Sequence, residues 1–211
     1  MAFVIEVPTI TGLVEGNTLT LMVGGVKSYA ADNLYNRSGA EQHFKIFCGF
    51  KNLICSNLFI STDGLMSSVS VTSIGQLQAC IRILLEQYNH QMFLHSLNTL
   101  TKYSLTEHQF ATMIGRCRMY NHLPRALQNE IPAMNFGESQ LGAVVRDYYK
   151  DNSFCRDAEG NINLWRLYNL FTGANKSSYI DLFADRAASA FSFVYAIKMA
   201  MDEGRQNWFL Q

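Results

Sequence analysis

Apolar residues occupy every second position at the start of the chain: Phe3, Ile5 and Val7, then Leu19, Leu21 and Val23 between Thr18 and Thr20. A period of two is that of a strand with one face turned inward, and Gly16-Asn17 between the two runs predicts a hairpin. Gly24-Gly25 and the polar stretch Asp32 to Gln42 interrupt the pattern. His43 to Phe50 and Leu53 to Ile60 are dense in Phe, Ile, Leu and Cys and predict two central strands. Asp63-Gly64 signals a two-residue hairpin turn, because type I′ geometry needs the positive φ that Gly and Asp tolerate. Val69 and Val71, alternating with serines, predict a last strand with one wet face.

After Ser73 the period lengthens. Leu77, Ile81, Leu84, Leu85 and Tyr88 recur at helical spacing behind a capping box, Ser73-x-x-Gln76. Thr106-x-x-Gln109 is a second box, with Leu105 placed to staple onto Phe110 ahead of the stripe Phe110, Met113, Ile114 and Cys117. Further helices are predicted at Glu138 to Lys150, at Leu164 to Thr172 with Gly173 as a left-handed C-cap, and at Ser178 to Glu203 behind Ser178-x-x-Asp181. The expected fold class is therefore α+β. About five mainly antiparallel strands fill residues 1–72, and helices over residues 73–204 pack on one side of that sheet. A chain of 211 residues with 48% apolar content suits one domain, 1–211, without internal repeats or a low-complexity linker.

Charge narrows the partners. Seventeen Lys and Arg balance seventeen Asp and Glu, so no global field draws the chain to nucleic acid or to an anionic membrane. Five cysteines, Cys48, Cys55, Cys80, Cys117 and Cys155, are odd in number, lack a C-x-x-C spacing and mostly sit in apolar runs, so they read as reduced and structural. The opening MAFVIEVPTI is no signal peptide, and the apolar run Ala187 to Ile197 falls far short of the roughly 20 residues of a membrane span. The expected location is cytoplasmic, with no membrane partner.

Few constellations carry chemistry. Val23-Gly-Gly-Val-Lys27-Ser28 lacks the adjacent Gly-Lys of a phosphate loop and reads as a strand-end turn. Asp157 to Asn163 has the oxygens of a calcium loop, but aligning Gly160 puts Cys155 first and Arg166 twelfth, so a polar turn leading into a helix is preferred. The five histidines, His43, His90, His95, His108 and His122, show no ligand spacing; no metal and no cofactor is expected. Cys117 between Arg116 and Arg118 continues the apolar stripe of its helix, and Trp165, Tyr168 and Phe171 read as core. One local asymmetry stands out. Between Lys102 and Arg125, four basic side chains and two histidines face a single acid, Glu107, with Tyr103 and Tyr120 interleaved. The candidate nucleic-acid-binding residues are Lys102, Arg116, Arg118 and Arg125 for phosphates and Tyr120 for stacking; a solvated helix face is the plainer reading.

The segments FKIFCGFKNLICSNLFISTDG (44–64), SLTEHQFATMIGRCRMYNHLP (104–124) and VVRDYYKDNSFCRDAEGNINLWRLYNLFTGANKSSYIDLFADRA (144–187) resemble the domain-of-unknown-function 3871 family of Bacteroides-type bacteria. CSNL (55–58) and LWRLYNLFTGANK (164–176) are similar to the larger domain-of-unknown-function 932 family, found on plasmids, phages and integrated elements. That second resemblance implies a mobile-element setting. The first implies a family segment preceding Met1. Neither supplies catalytic or binding residues.

Three functions follow as expectations. The first is a cytosolic accessory protein of a mobile element that binds DNA or RNA through the basic stretch. The second is an interaction or assembly module, pairing with itself or another protein, as 12% aromatic content with zero net charge allows. The third is an enzyme with Asn57, Asp147, Asp151 and Arg156 gathered in a cleft, although their spacing specifies no reaction.

Overall fold

Glu15 and Gly16 both take positive φ, 46° and 75°, the pair of left-handed residues that a type I′ turn requires. They close β1 (Ala2–Val14) onto β2 (Asn17–Lys27), as the sequence predicts. β3 (Gln42–Asn52) and β4 (Leu58–Val71) complete an antiparallel sheet in the order β1-β2-β3-β4. The computed structural model describes residues 2–27, 41–150 and 154–211. Most of the polar stretch Asp32 to Gln42 lies outside them, as does Ser28.

The sheet has four strands where about five were expected, because Asp63-Gly64 is not a turn. β4 runs straight through it, opposite a register shift between Phe47 and Gly49. A Cβ on Gly64 would stand 2.5 Å from the carbonyl oxygen of Cys48, so this glycine permits a close approach of two strands. The true turn is at 53–57, within the run expected to be a strand. Gly24-Gly25 likewise ends nothing. Both lie inside β2, where added Cβ atoms would meet the rings of Phe47 and Phe3 at 2.5 and 2.7 Å, so the strand-end turn is replaced by strand.

Further helices are α1 (Ile74–Gln87), α2 (His90–Leu100), α3 (Glu107–Tyr120), α4 (Arg125–Gln128), α5 (Glu138–Tyr149), α6 (Leu164–Asn175) and α7 (Ile180–Asp202), with a 3₁₀ turn at Trp208–Leu210. The Thr106 box closes in full on Gln109, and both Leu105 and Phe110 are buried. The Ser73 box closes by half. Ser73 Oγ accepts from Gln76 N, while the Gln76 carbonyl accepts from Thr72 rather than from Ser73. Gly173 is no C-cap; it lies inside α6, which continues to Asn175. α7 begins at Ile180, two residues beyond Ser178.

The chain divides into two units, residues 1–93 with 178–188, and residues 94–177 with 189–211. In the first, alternate residues of β2 and β3 send side chains to opposite faces of the sheet. Met22, Val26, Phe47 and Ile60 pack with Ala184, Ala187 and Ala188 of α7, whose small side chains allow the helix close to the strands. Lys45 ties this face, donating to the Asp181 carbonyl at 2.7 Å and pairing with Asp185. On the other face Phe50 stacks on Phe93 at 6.1 Å, with Tyr88 tilted against Phe93 at 6.3 Å. Helical residues thus cover both faces rather than the expected one. The coverage spans β2 and β3, leaving Val4 46% and Ile5 56% exposed on opposite faces of β1.

In the second unit, two short strands, β5 (Ser104–Leu105) and β6 (Ile162–Asn163), pair and set two helix caps side by side. Thr106 starts α3, and Asn163 Oδ1 accepts from Arg166 N at 2.8 Å to start α6. The core is a line of ring contacts, Phe136 to Phe171 at 5.1 Å, Phe171 to Phe193 at 5.4 Å and Phe193 to Phe209 at 4.7 Å, all near edge-to-face. Trp165, Tyr168 and Phe171 are core residues, as expected.

Thr106→Ala removes the acceptor for Gln109 N, and urea unfolding is expected to show a loss of about 1 kcal/mol. Ser73→Ala, in a cap whose reciprocal arm rests on Thr72, is expected to cost less in the same assay.

Candidate functional site

The basic stretch does not form one open surface. Arg118 is committed to Glu138, with Nε on Oε2 at 3.1 Å and Nη2 on Oε1 at 2.7 Å. Arg116 Nε donates to the Gln211 carbonyl at 2.9 Å, and its guanidinium lies 4.9 Å from the centre of the Trp208 ring. Tyr120 is buried, its ring stacked on Phe209 at 6.3 Å, so it presents no face to solvent. Lys102 and Arg125 are exposed and carry no ion pair among the described residues. Glu107, the lone acid, accepts from the Tyr149 hydroxyl at 2.7 Å.

The polar residues considered for an enzyme are divided between the two units. Asn57 is buried in the first unit, Asp147 and Arg156 belong to the second, and Asp151 lies outside the described residues. Arg156 sits over the rings of Tyr148 and Tyr149 at 5.5 and 5.3 Å. Asp157 spends its carboxylate inside its own turn, on the backbone N–H groups of Glu159 at 3.0 Å and Asn161 at 2.7 Å and on Asn161 Nδ2 at 3.1 Å. The loop is the polar turn expected. Among the described residues no three His, Cys, Asp or Glu side chains cluster as a metal ion would require.

One polar network is well built. Tyr103 donates its hydroxyl to Asp202 Oδ1 at 2.5 Å, and Lys198 donates to Asp202 Oδ2 at 3.0 Å while lying 5.5 Å from the centre of the Tyr103 ring. The two donors hold the Asp202 carboxyl below its ordinary 3.8, and the carboxylate raises Lys198 in turn. Each charged form stabilises the other. This arrangement fastens the segment before α3 to the end of α7 and activates no nucleophile.

What sequence reasoning missed is apolar and lies in the first unit. Val4, Ile5 and Leu13 on β1, Leu53 and Ile54 on the β3–β4 turn, and Ile74, Ile83 and Leu85 on α1 are all exposed. Among the described residues β1 is an edge strand, 13 residues long, whose one charged side chain, Glu6, is paired with Lys51. Its signal was present in the sequence: Val4 beside Ile5 puts apolar side chains on both faces at once. Pro8, within the register shift between Val7 and Thr11, is the edge's one interruption of donors. No helix among the described residues is long and apolar enough to cross a membrane.

A family model described as "Domain of unknown function, B. Theta Gene description (DUF3871)" matches residues 1–210. The chain belongs to that family. The resemblance carried by residues 44–64, 104–124 and 144–187 thus extends to nearly the whole DUF3871 chain. Comparison with curated proteins and with solved structures found no match.

Burial sorts the thiols of this DUF3871 protein. Desolvation pushes Cys48 up to about 12 and Cys117 higher still, and Cys155 is buried, whereas Cys55 and Cys80 are half-buried. Timed alkylation read by mass is expected to label Cys55 and Cys80 in the native protein and the other three only after unfolding. For Asp202, whose folded value is lowered, the stabilisation is present above 3.8 and is lost as pH falls through the lowered value. Between pH 5 and pH 2, Asp202→Asn is therefore expected to lose less thermal stability than the parent chain.

Proposed function

We propose that this DUF3871 protein works by association rather than by catalysis, as a cytoplasmic interaction or assembly module whose β1 edge takes a strand from a partner chain. The observation that carries this reading is β1 itself: among the described residues, an edge strand exposing Val4 and Ile5, with Glu6 already paired. An edge of unpaired backbone groups is a template for strand addition, and natural sheets usually blunt it with lysines or a covering element. Here Pro8 and one irregularity interrupt it at a single place. A mobile-element setting, implied by the resemblance to the 932 family, agrees with a chain that works through partners.

Nucleic-acid association through Lys102, Arg116, Arg118, Tyr120 and Arg125 has less support. Two of the arginines hold partners within the chain, Tyr120 is buried, and Lys102 and Arg125 alone are open cations of the set.

A labelled peptide of residues 2–14 is expected to bind the full chain in fluorescence anisotropy, and Ile5→Lys is expected to abolish that binding by placing a charge in the edge. Undiminished binding to Ile5→Lys would overturn the edge reading. Salt-sensitive binding of oligonucleotides that disappears in Lys102→Ala/Arg125→Ala would replace it with the nucleic-acid reading.

A further inference from the structure

α7 is closed by its own residues. Gly204 holds φ at +61°, its N–H reaches the Met201 carbonyl at 3.4 Å, and the Arg205 N–H reaches the Ala200 carbonyl at 2.8 Å. That pair of bonds is the left-handed cap by which a helix satisfies its last carbonyls locally. The 3₁₀ turn that follows is equally self-contained. Asn207 Oδ1 accepts from Phe209 N at 2.9 Å, and Leu210 N donates to the Asn207 carbonyl at 3.0 Å. Glu203 to Gln206, which join cap and turn, are all exposed. Two locally complete pieces are therefore linked by a connector that is not packed into the core.

The turn docks through Trp208, Phe209 and Gln211. Phe209 is fully buried, edge to face with Phe193 at 4.7 Å and stacked on Tyr120 at 6.3 Å. Trp208 lies against the Arg116 guanidinium at 4.9 Å, and Arg116 Nε donates to the Gln211 carbonyl at 2.9 Å. Together these groups make a recognition site: a slot for one aromatic ring, beside a guanidinium that holds an indole by its face and a carbonyl by its N–H. The occupant of that slot is the 207–211 segment of this chain.

We propose that the slot also takes the same segment from a second copy, so that two chains exchange residues 205–211 and close as a dimer. Exchange keeps every contact of the docked turn and changes the connector, the condition under which segment swapping is a low-barrier route to dimers. The partner follows from identity, since the segment that fits the slot is one that every copy carries. Gly204 to Gln206 span about 10 Å when extended, at about 3.3 Å per residue, so the two slots must lie close together across a two-fold axis. Each copy gives once and receives once, and assembly stops at two. Within one chain the short connector holds the segment at an effective concentration of about millimolar, so exchange competes at high protein concentration. The proposal uses no residue of β1 and goes beyond the edge reading.

The experiment uses the full chain carrying Ile5→Lys, which charges the β1 edge, so that failure of either reading shows by itself. Sedimentation velocity over a rising concentration series is expected to show monomer passing to dimer and no larger species. Gly204→Val isolates the connector. A Cβ at Gly204 would meet nothing within 4 Å, so this substitution acts through φ, and a β-branched residue is strained in the left-handed region that the closed cap requires. Opening relieves that strain in both chains; at roughly tenfold per hinge, the dimer is expected at about a hundredfold lower concentration. Phe209→Ala is expected to stay monomeric. A labelled peptide of residues 205–211 is expected to bind that variant, and the same peptide carrying Phe209→Ala is not. Should the Phe209→Ala chain not fold, Trp208→Ala, which truncates a half-buried ring, takes its place with the matching pair of peptides. A Gly204→Val chain that dimerises no better than its parent, growth past a dimer, a Phe209→Ala chain that dimerises as the parent does, or a peptide that does not bind would each overturn the exchange.

Discussion

Burial of β2 and β3 on both faces is the constraint from which the first unit follows. From Leu19 to Val26 every residue of β2 is buried, including Thr20. Such a strand needs a layer on each side, and the chain supplies α7 on one side and the Tyr88–Phe93 region on the other. The α7 layer requires small residues where it meets the sheet, which Ala184, Ala187 and Ala188 provide, and a cation to meet its acidic first turns, which Lys45 provides. Two layers centred on two strands leave the outer strands with less cover. β4 answers with a polar face, Thr62, Asp63, Ser67, Ser68 and Ser70 all being exposed. β1 does not, and its apolar residues remain in solvent.

The second unit solves the same problem by other means. Its helices close around aromatic rings that touch edge to face from Phe136 to Phe209, and its polar side chains are used to fasten ends: Tyr103 and Lys198 on Asp202, Tyr149 on Glu107, Arg116 on Gln211. Such bonds hold together segments far apart in sequence. This is why the basic stretch looked open in the sequence and is largely closed in the fold. Partners such as Glu138 for Arg118 lie on other elements, and a local window of charge does not contain them.

The same distinction explains what was legible. The Gly16 turn, the Thr106 box and the stripe ending at Cys117 depend on neighbours within a few residues, and the sequence states them directly. Asp63-Gly64 satisfies the local rule for a turn, yet Gly64 answers to the carbonyl of Cys48, which the fold brings to it across a strand pair. Gly24-Gly25 answers to rings on two neighbouring strands in the same way. Leu53 and Ile54 have the apolar character of a strand, whereas in the fold they form a turn between the buried Asn52 and Asn57. Glycine marks either a bend or a close approach, and only the partner strand distinguishes them.

The open apolar surface was the least legible feature because it is set by topology. Val4 and Ile5 resemble core residues in composition, and in a central strand they would be core. They are exposed where, among the described residues, β1 pairs with β2 alone. A four-stranded sheet always has two edges, and a chain has few economical ways to protect both. Serines, threonine and aspartate protect β4, whereas β1 carries one charge and that charge is satisfied by Lys51. An unprotected edge and a rigid apolar turn in the same unit both lower in free energy when another chain covers them. A buried asparagine network fixes the backbone beneath Ile54, and its ordering entropy is offset by the hydrogen bonds that Asn52 makes to Ile54, Cys55 and Asn17.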